Sequence, residues 1–336
     1  MDKSICKGSL NHVLTKNIVD GYSKTHLKTM FGTQKPVTIK GTPDKFDQMV
    51  IDHGTGSSIS GVQRKLFMEI EKGILVPNEQ GQYIVKPTPK EFPSLSENEQ
   101  CIMKLANAIG INTAQCSVIP FENGELAYVT KRFDIIQGTS YKHFIEDGAS
   151  ICQVAPQNKG SDALSYERCI KEMVNAFGGG HGGAIAALRL VLFSYLVGNN
   201  DLHLKNFSLI KYYKPSNKTH LLDGFAPVYD VLSVYPYPEY YTESLSLSLL
   251  ESEVDAVYSS SYESYGYYTL HDFILLAQNF GVKEQVAQKI VMKIITDIEN
   301  KCKGVLMNSN LPNHLKDLII KRIIAACGMT KKPIIS

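Results

Sequence analysis

Over residues 65–70 the positions along the chain alternate with a period of two. Lys65, Phe67 and Glu69 alternate with Leu66, Met68 and Ile70, the spacing of a strand with one buried face. GQYIVKP (81–87) predicts a further strand, stopped by Pro87. QCSVIPF (115–121) and LAYVTKRF (126–133) predict a hairpin about Glu122-Asn123-Gly124. One helical stretch interrupts these strands. In SENEQCIMKLANAI (96–109) Cys101, Ile102, Leu105 and Ile109 share a face, Ser96 stands as N-cap, and Glu99 completes a capping box. Residues 1–50 carry turn signals at GYS, FGTQKP and GTPDKF and predict short strands and loops.

Beyond about residue 135 the period becomes helical, over 165–177, 184–198, 270–279, 283–300 and 312–327. FGGGHGG (177–183) is too glycine-rich for a helix interior and predicts a flexible interhelical loop; it lacks the GxxxxGK[ST] order of a phosphate cradle. AIAALRLVLFSYLVG (184–198) is the longest apolar run, but Arg189 interrupts it and its length predicts a buried helix, not a membrane span. The section 235–268 holds nine of the eighteen tyrosines and reads either as a surface segment or as part of a partner-facing groove. The change of period predicts an α+β chain with a small β-rich lobe (1–134) and a mostly helical lobe (135–336).

Composition narrows the class. With 336 residues, 43% of them hydrophobic and 20% charged, the chain can bury a large core and is not disordered by composition. Lys and Arg total 35 against 33 Asp and Glu, so bulk charge argues for neither nucleic acid nor an anionic membrane as a direct partner. No secretory h-region follows the first lysines. Seven cysteines, odd in number, far apart and without CxxC, predict reduced thiols in a cytoplasmic protein and no structural zinc.

The chemistry concentrates in GNNDLHLKNFSLI (198–210). An apolar helix ends in polar residues, and Asp201 precedes Asn206 by five positions, the spacing at which a kinase loop sets its base and a metal-binding amide. A structural Asx-rich loop has the same composition. Asp230 in FAPVYDVLS is the second acidic candidate, either a metal carboxylate or the N-cap of a following helix. Asp223-Gly224 reads better as a hairpin corner. Upstream, Lys86 at a strand end is placed to meet phosphates or merely solvent, and Glu99 either orients Lys86 or caps its helix. GTGSSISG (54–61), with Gln63 and Lys65 after it, is a loop able to cover phosphates with amides, hydroxyls and an ammonium. The order of mobile loop, lysine strand, acidic helix, hairpin, helical lobe, Asp…Asn and Asp outlines a two-lobed phosphotransferase.

In that order SISGVQRK (58–65), YIVKP (83–87), SENEQC (96–101), VTKRFD (129–134), VGNNDLHLKNFSLI (197–210) and APVYDVLS (226–233) closely resemble the HipA family of toxin serine/threonine kinases. The resemblance implies a protein-kinase-like fold using ATP and Mg²⁺. It makes Asp201 the catalytic base, Asn206 and Asp230 the Mg²⁺ ligands, and Lys86 the phosphate-binding lysine, with Lys131 and Phe133 offering backbone groups to the adenine. His203 and Lys205 match the DxHxKN loop, where Lys205 would neutralise the transferred phosphoryl group. Ser58 and Ser60 match the serines whose autophosphorylation restrains such kinases. Family members carry about 100 residues before the Gly-rich loop, and here that loop begins near residue 54. The chain therefore resembles most the short HipT-type toxin of three-component HipBST systems. That implies a separate small HipS-like protein, a HipB-like DNA-binding antitoxin and a protein substrate such as tryptophanyl-tRNA synthetase. A small-molecule phosphotransferase and an inactive nucleotide-binding interaction module are the alternatives.

Overall fold

The structure is a computed structural model that describes residues 2–53, 64–161, 163–215 and 221–333. Its contacts divide the chain into two compact units. The first comprises residues 1–105, 113–135 and 304–316; the second comprises 106–112, 136–303 and 317–336. Two short segments thus cross the division expected near residue 134.

The first unit opens with two small ribbons, β1 (Lys3–Ile5) with β2 (His12–Leu14) and β3 (Ile18–Val19) with β4 (Tyr22–Ser23). Helix α1 (Lys24–Phe31), strand β5 (Thr38–Ile39) and helix α2 (Pro43–His53) follow. The main sheet adds β6 (Leu66–Glu71), β7 (Ile74–Pro77), β8 (Tyr83–Pro87), β9 (Cys116–Pro120) and β10 (Leu126–Lys131) in the order β5-β7-β6-β8-β10-β9. Among the described residues the β5–β7 pair is parallel and the other strand pairs of this sheet are antiparallel. The predicted alternation is seen in β6, where Leu66 and Met68 enter the core and Phe67 lies under the Arg132 guanidinium at 4.2 Å.

Two helices stand where the turn signals predict only strands and loops. Ser23 Oγ accepts the His26 amide at 3.1 Å, Gly32 closes α1 in the left-handed region, and Leu27, Met30 and Phe31 form the buried stripe. Helix α3 (Leu95–Ala108) starts one residue before the expected cap. Ser96 lies inside it and donates to Lys86 O at 3.2 Å, so this hydroxyl serves the neighbouring strand rather than the helix end.

The second unit is mostly helical: α4 (Gly148–Ile151), α5 (Tyr166–Phe177), α6 (Gly180–Val197), α7 (Ser260–Tyr265), α8 (Leu270–Asn279), α9 (Glu284–Met307) and α10 (Asn313–Thr330), the last two running into residues of the first unit. A three-stranded antiparallel sheet joins β11 (Phe144–Asp147), β12 (Ser208–Lys211) and β13 (Gly224–Phe225). The loop expected at 177–183 is shorter than its glycines suggest. Gly178 ends α5 in the left-handed region and α6 already begins at Gly180. A Cβ on Gly183 would stand 2.6 Å from the Phe177 ring, so close packing, not helix propensity, selects glycine there.

Helix α6 is long and apolar enough to cross a membrane, yet Leu188 and the run Leu190–Val197 are buried within the protein. It packs on the Tyr-rich section. Tyr195 lies 5.8 Å from Tyr268 and 5.5 Å from Phe273, while Tyr268 donates to Glu253 Oε2 at 2.7 Å. Part of that section is therefore core. All seven cysteines are unpaired, and Cys152 alone is not fully buried.

Candidate active site

Helix α6 delivers the Asp201 loop. Gly198, in the left-handed region, returns its N–H to the last turn, and Ser233 Oγ donates to Val197 O at 2.7 Å. Buried Asn199 accepts the Asp201 amide at 3.1 Å. The Asp201 carbonyl then receives two donors, the His203 amide at 2.8 Å and Asn206 Nδ2 at 2.7 Å. This last bond closes the five-residue loop on itself. It leaves the Asn206 Oδ1 end of the amide as the one that can meet a cation. The Asp201 side chain is 60% exposed, open to an incoming hydroxyl, on a backbone that the surrounding bonds fix.

His203 is almost fully enclosed. Its Nε2 accepts from Lys159 Nζ at 2.6 Å and lies 3.7 Å from Asp201 Oδ1, while buried Nδ1 has no hydrogen-bond partner among the described residues. Burial, reinforced by the Lys159 ammonium, pushes the imidazole down to about 4, so the ring is neutral at physiological pH. Lys205 Nζ lies 2.6 Å from Asp147 Oδ2. Asp147 also accepts the Ser150 amide as cap of α4. Burial opposes its ionisation, but Lys205 and the Ser150 N–H outweigh it and hold the carboxyl below its ordinary value. Gly148 is required by a close approach, since a Cβ there would stand 2.8 Å from Leu204 O.

Asp230 is not a helix N-cap, because no helix follows it. Its φ of 59° places it in the left-handed region, which aspartate tolerates better than most residues. Its neighbour Tyr229 fastens that segment to the loop, donating to Lys205 O at 2.8 Å and pairing with Ser208 Oγ at 2.6 Å. Asp223 is occupied elsewhere, accepting the Tyr212 amide at 2.7 Å beside β13. Among the described residues no group of three or more His, Cys, Asp or Glu is arranged to hold a metal. A cation here would rest on Asn206 and Asp230, one amide oxygen and one carboxylate. That donor set suits Mg²⁺, which keeps waters and takes further oxygens from phosphates.

The first unit holds the other candidates. Lys86, on β8, donates to Glu99 Oε1 of α3 at 2.8 Å, with the two side chains 9% and 0% exposed. Its ammonium also stands 5.4 Å from the centre of the Tyr128 ring, the cross-strand neighbour on β10. Glu99 is thus the ion-pair partner of Lys86 and not a capping-box residue. The Lys131 amide already donates to Gln115 O at 2.8 Å. Phe133 follows in the turn where Arg132 pairs with Asp134 at 2.7 Å, and Lys65 immediately precedes β6. Ser58, Ser60 and Gln63 lie outside the described residues. Lys159 and Asp147 lie in no local motif and meet the loop only through the fold, while Tyr229, although within APVYDVLS, carries no signal of its own beside Asp230.

A β-rich unit with a buried Lys–Glu pair and a helical unit presenting an Asp…Asn loop define a protein of kinase-like fold. Residues 57–302 match the HipA-like C-terminal domain, and the chain belongs to that family. A Haemophilus influenzae protein named "Putative kinase" is 33% identical over 279 residues, 79% of each chain. A Sinorhizobium fredii protein, Y4mE, bearing the same description, is 30% identical over 198 residues, 55% of this chain and 44% of its own. Among solved structures, HipA of Shewanella oneidensis MR-1, in complex with HipB and its operator DNA, matches with a TM-score of 0.62 at 18% identity, over 85% of this chain and 70% of that one. The last likeness establishes the fold, and the relatives support a HipA-like kinase.

Proposed function

We propose that the protein is an ATP-dependent serine/threonine protein kinase. The observation that carries this reading is the Asp201 loop: an open carboxylate whose carbonyl is locked by the Asn206 amide. Asp201 accepts the proton of the acceptor hydroxyl as its oxygen bonds to the γ-phosphorus and the bond to the ADP oxygen breaks. ATP supplies the phosphoryl group and Mg²⁺ spreads its charge. Asn206 and Asp230 are the residues we assign to the metal, and Lys86, oriented by Glu99, is assigned to the nucleotide phosphates. His203 is a neutral neighbour of the base rather than its ion-pair partner.

Family membership and the HipA–HipB–DNA complex of the Shewanella relative support a toxin role restrained by a HipB-like DNA-binding antitoxin. A HipS-like small protein and an aminoacyl-tRNA synthetase substrate, tryptophanyl-tRNA synthetase among them, belong to the same proposal. So does autophosphorylation at Ser58 and Ser60. The test is label transfer from γ-³²P-ATP with Mg²⁺ to the protein itself and to a cell lysate, with phosphosites read by mass spectrometry. Asp201→Asn is expected to bind ATP within threefold of wild type and to transfer at least ~100-fold more slowly. Transfer by that variant at the wild-type rate refutes the mechanism, and label appearing only on small molecules refutes the protein substrate.

A further inference from the structure

The DxHxKN loop contains one lysine, Lys205, and its ammonium is engaged with Asp147, 2.6 Å away. A second ammonium reaches the loop from outside the motif. Lys159 follows the turn at Pro156–Asn158, and its Nζ lies 2.6 Å from His203 Nε2. The same residue's carbonyl accepts the Leu204 amide at 3.1 Å. Gly160, next to it, packs so tightly that a Cβ would stand 3.0 Å from Ser246 Oγ and 3.7 Å from His203 Cβ. One residue therefore ties two consecutive members of the loop, one through its side chain and one through its backbone. Because His203 Nε2 is 3.7 Å from Asp201 Oδ1 and 2.6 Å from Lys159 Nζ, the ammonium is at most 6.3 Å from the base.

Resting on the kinase reading above, we propose that Lys159 is a positioning residue for phosphoryl transfer. Its N–H donates to Nε2, which fixes the proton of the neutral ring on Nδ1 and turns the ring edge toward Asp201. Its carbonyl holds Leu204, so the path from Asp201 to Asn206 keeps one geometry. A fixed cation near the base also meets the negative charge that grows as the γ-phosphoryl group moves. Lys205, by contrast, braces the loop against α4. The two lysines divide the work, and the one outside the motif serves the reacting end.

Lys159→Met keeps the aliphatic stem and removes the ammonium; Lys159→Arg keeps a cation with N–H donors. Mg²⁺-dependent ATP turnover and hydrogen exchange of the amides of residues 203–206 are measured on the full chain. Lys159→Met is expected to lower kcat by ~10–100-fold with the KM for ATP within about twofold, and to speed loop exchange by ~10-fold or more. Lys159→Arg is expected to retain at least about a third of kcat. A kcat for Lys159→Met within about twofold of an active wild type overturns this role alone, as does unchanged loop exchange. A wild type without any turnover overturns the kinase reading and this role with it.

Discussion

Replacing Lys86 by Met would leave the Glu99 carboxylate, which has no solvent exposure, without its cation. At 2.8 Å and an effective dielectric near 20 the gross attraction is about 6 kcal/mol. Much of that attraction offsets the desolvation of both ions, and deleting one partner of such a pair costs about 3–5 kcal/mol. Lys86→Met is expected to destabilise the first unit by that amount. Lys86→Met combined with Glu99→Leu removes both ions and should recover most of it, a coupling of roughly 2–4 kcal/mol. The chain has two units, so a single denaturation curve is a poor gauge. Native-state hydrogen exchange of the β8 and α3 amides against urea reads the local free energy instead. A Lys86→Met loss below about 1 kcal/mol, or a double variant as unstable as the sum of its parts, would show that this pair carries no such strain when broken. The stable double variant should still fail to bind ATP, because the ammonium, not the packing, is the part assigned to phosphate.

Gly148→Ala should cost about 1–3 kcal/mol, since the new methyl would press on Leu204 O and on Met173 Sδ. It should slow transfer more than it weakens ATP binding; a Tm and a kcat equal to wild type would disprove the close approach. A pH dependence follows from His26, whose Nε2 lies 3.0 Å from Ser117 Oγ. Burial, with the Lys104 ammonium beside it, pushes this imidazole down to about 3. Between pH 6.5 and 3 the unfolded chain then binds a proton that the folded chain does not, so stability falls as the pH drops through that window. The loss is about 2 kcal/mol at pH 5, and His26→Gln should remove that part of the slope in thermal scans from pH 8 to 4. Equal slopes in the two proteins would refute it.

What the sequence reveals here depends on how far apart the interacting residues lie. Strand β6 is legible because it buries one face and writes a period of two. Strand β8 and the β9–β10 hairpin, buried on both faces, are legible as short apolar runs bounded by Pro87 and by the Glu122-Asn123-Gly124 turn. The loop from Asp201 to Asn206 is legible because its key bond spans only five residues. Ser96 and Glu99 form a correct capping-box pattern that the fold uses otherwise: the hydroxyl bonds the Lys86 carbonyl and the carboxylate takes the Lys86 ammonium. Local pattern alone has no term for a strand lying alongside. Lys159 and Asp147 are hidden for the same reason, since their partners His203 and Lys205 stand 44 and 58 residues further on. Helix α1 is a different case. Its Ser23 cap and its Leu27, Met30 and Phe31 stripe are present in the sequence, but the surrounding turn signals mask a helix of only eight residues.

The crossing of chain segments between units bears on how the protein is made. Asn308 Nδ2 donates to Leu10 O and Asn310 Nδ2 to Lys7 O, contacts internal to the first unit that join its earliest residues to some of its last. A ribosome releases the N-terminal strands and sheet long before residues 304–316 emerge, and nearly all of the helical unit is synthesised in between. Until then the carbonyls of Lys7 and Leu10 await those donors. The unit with the phosphate-assigned lysine is therefore completed late. A nascent chain would remain an unfinished kinase until residues 304–316 had left the tunnel.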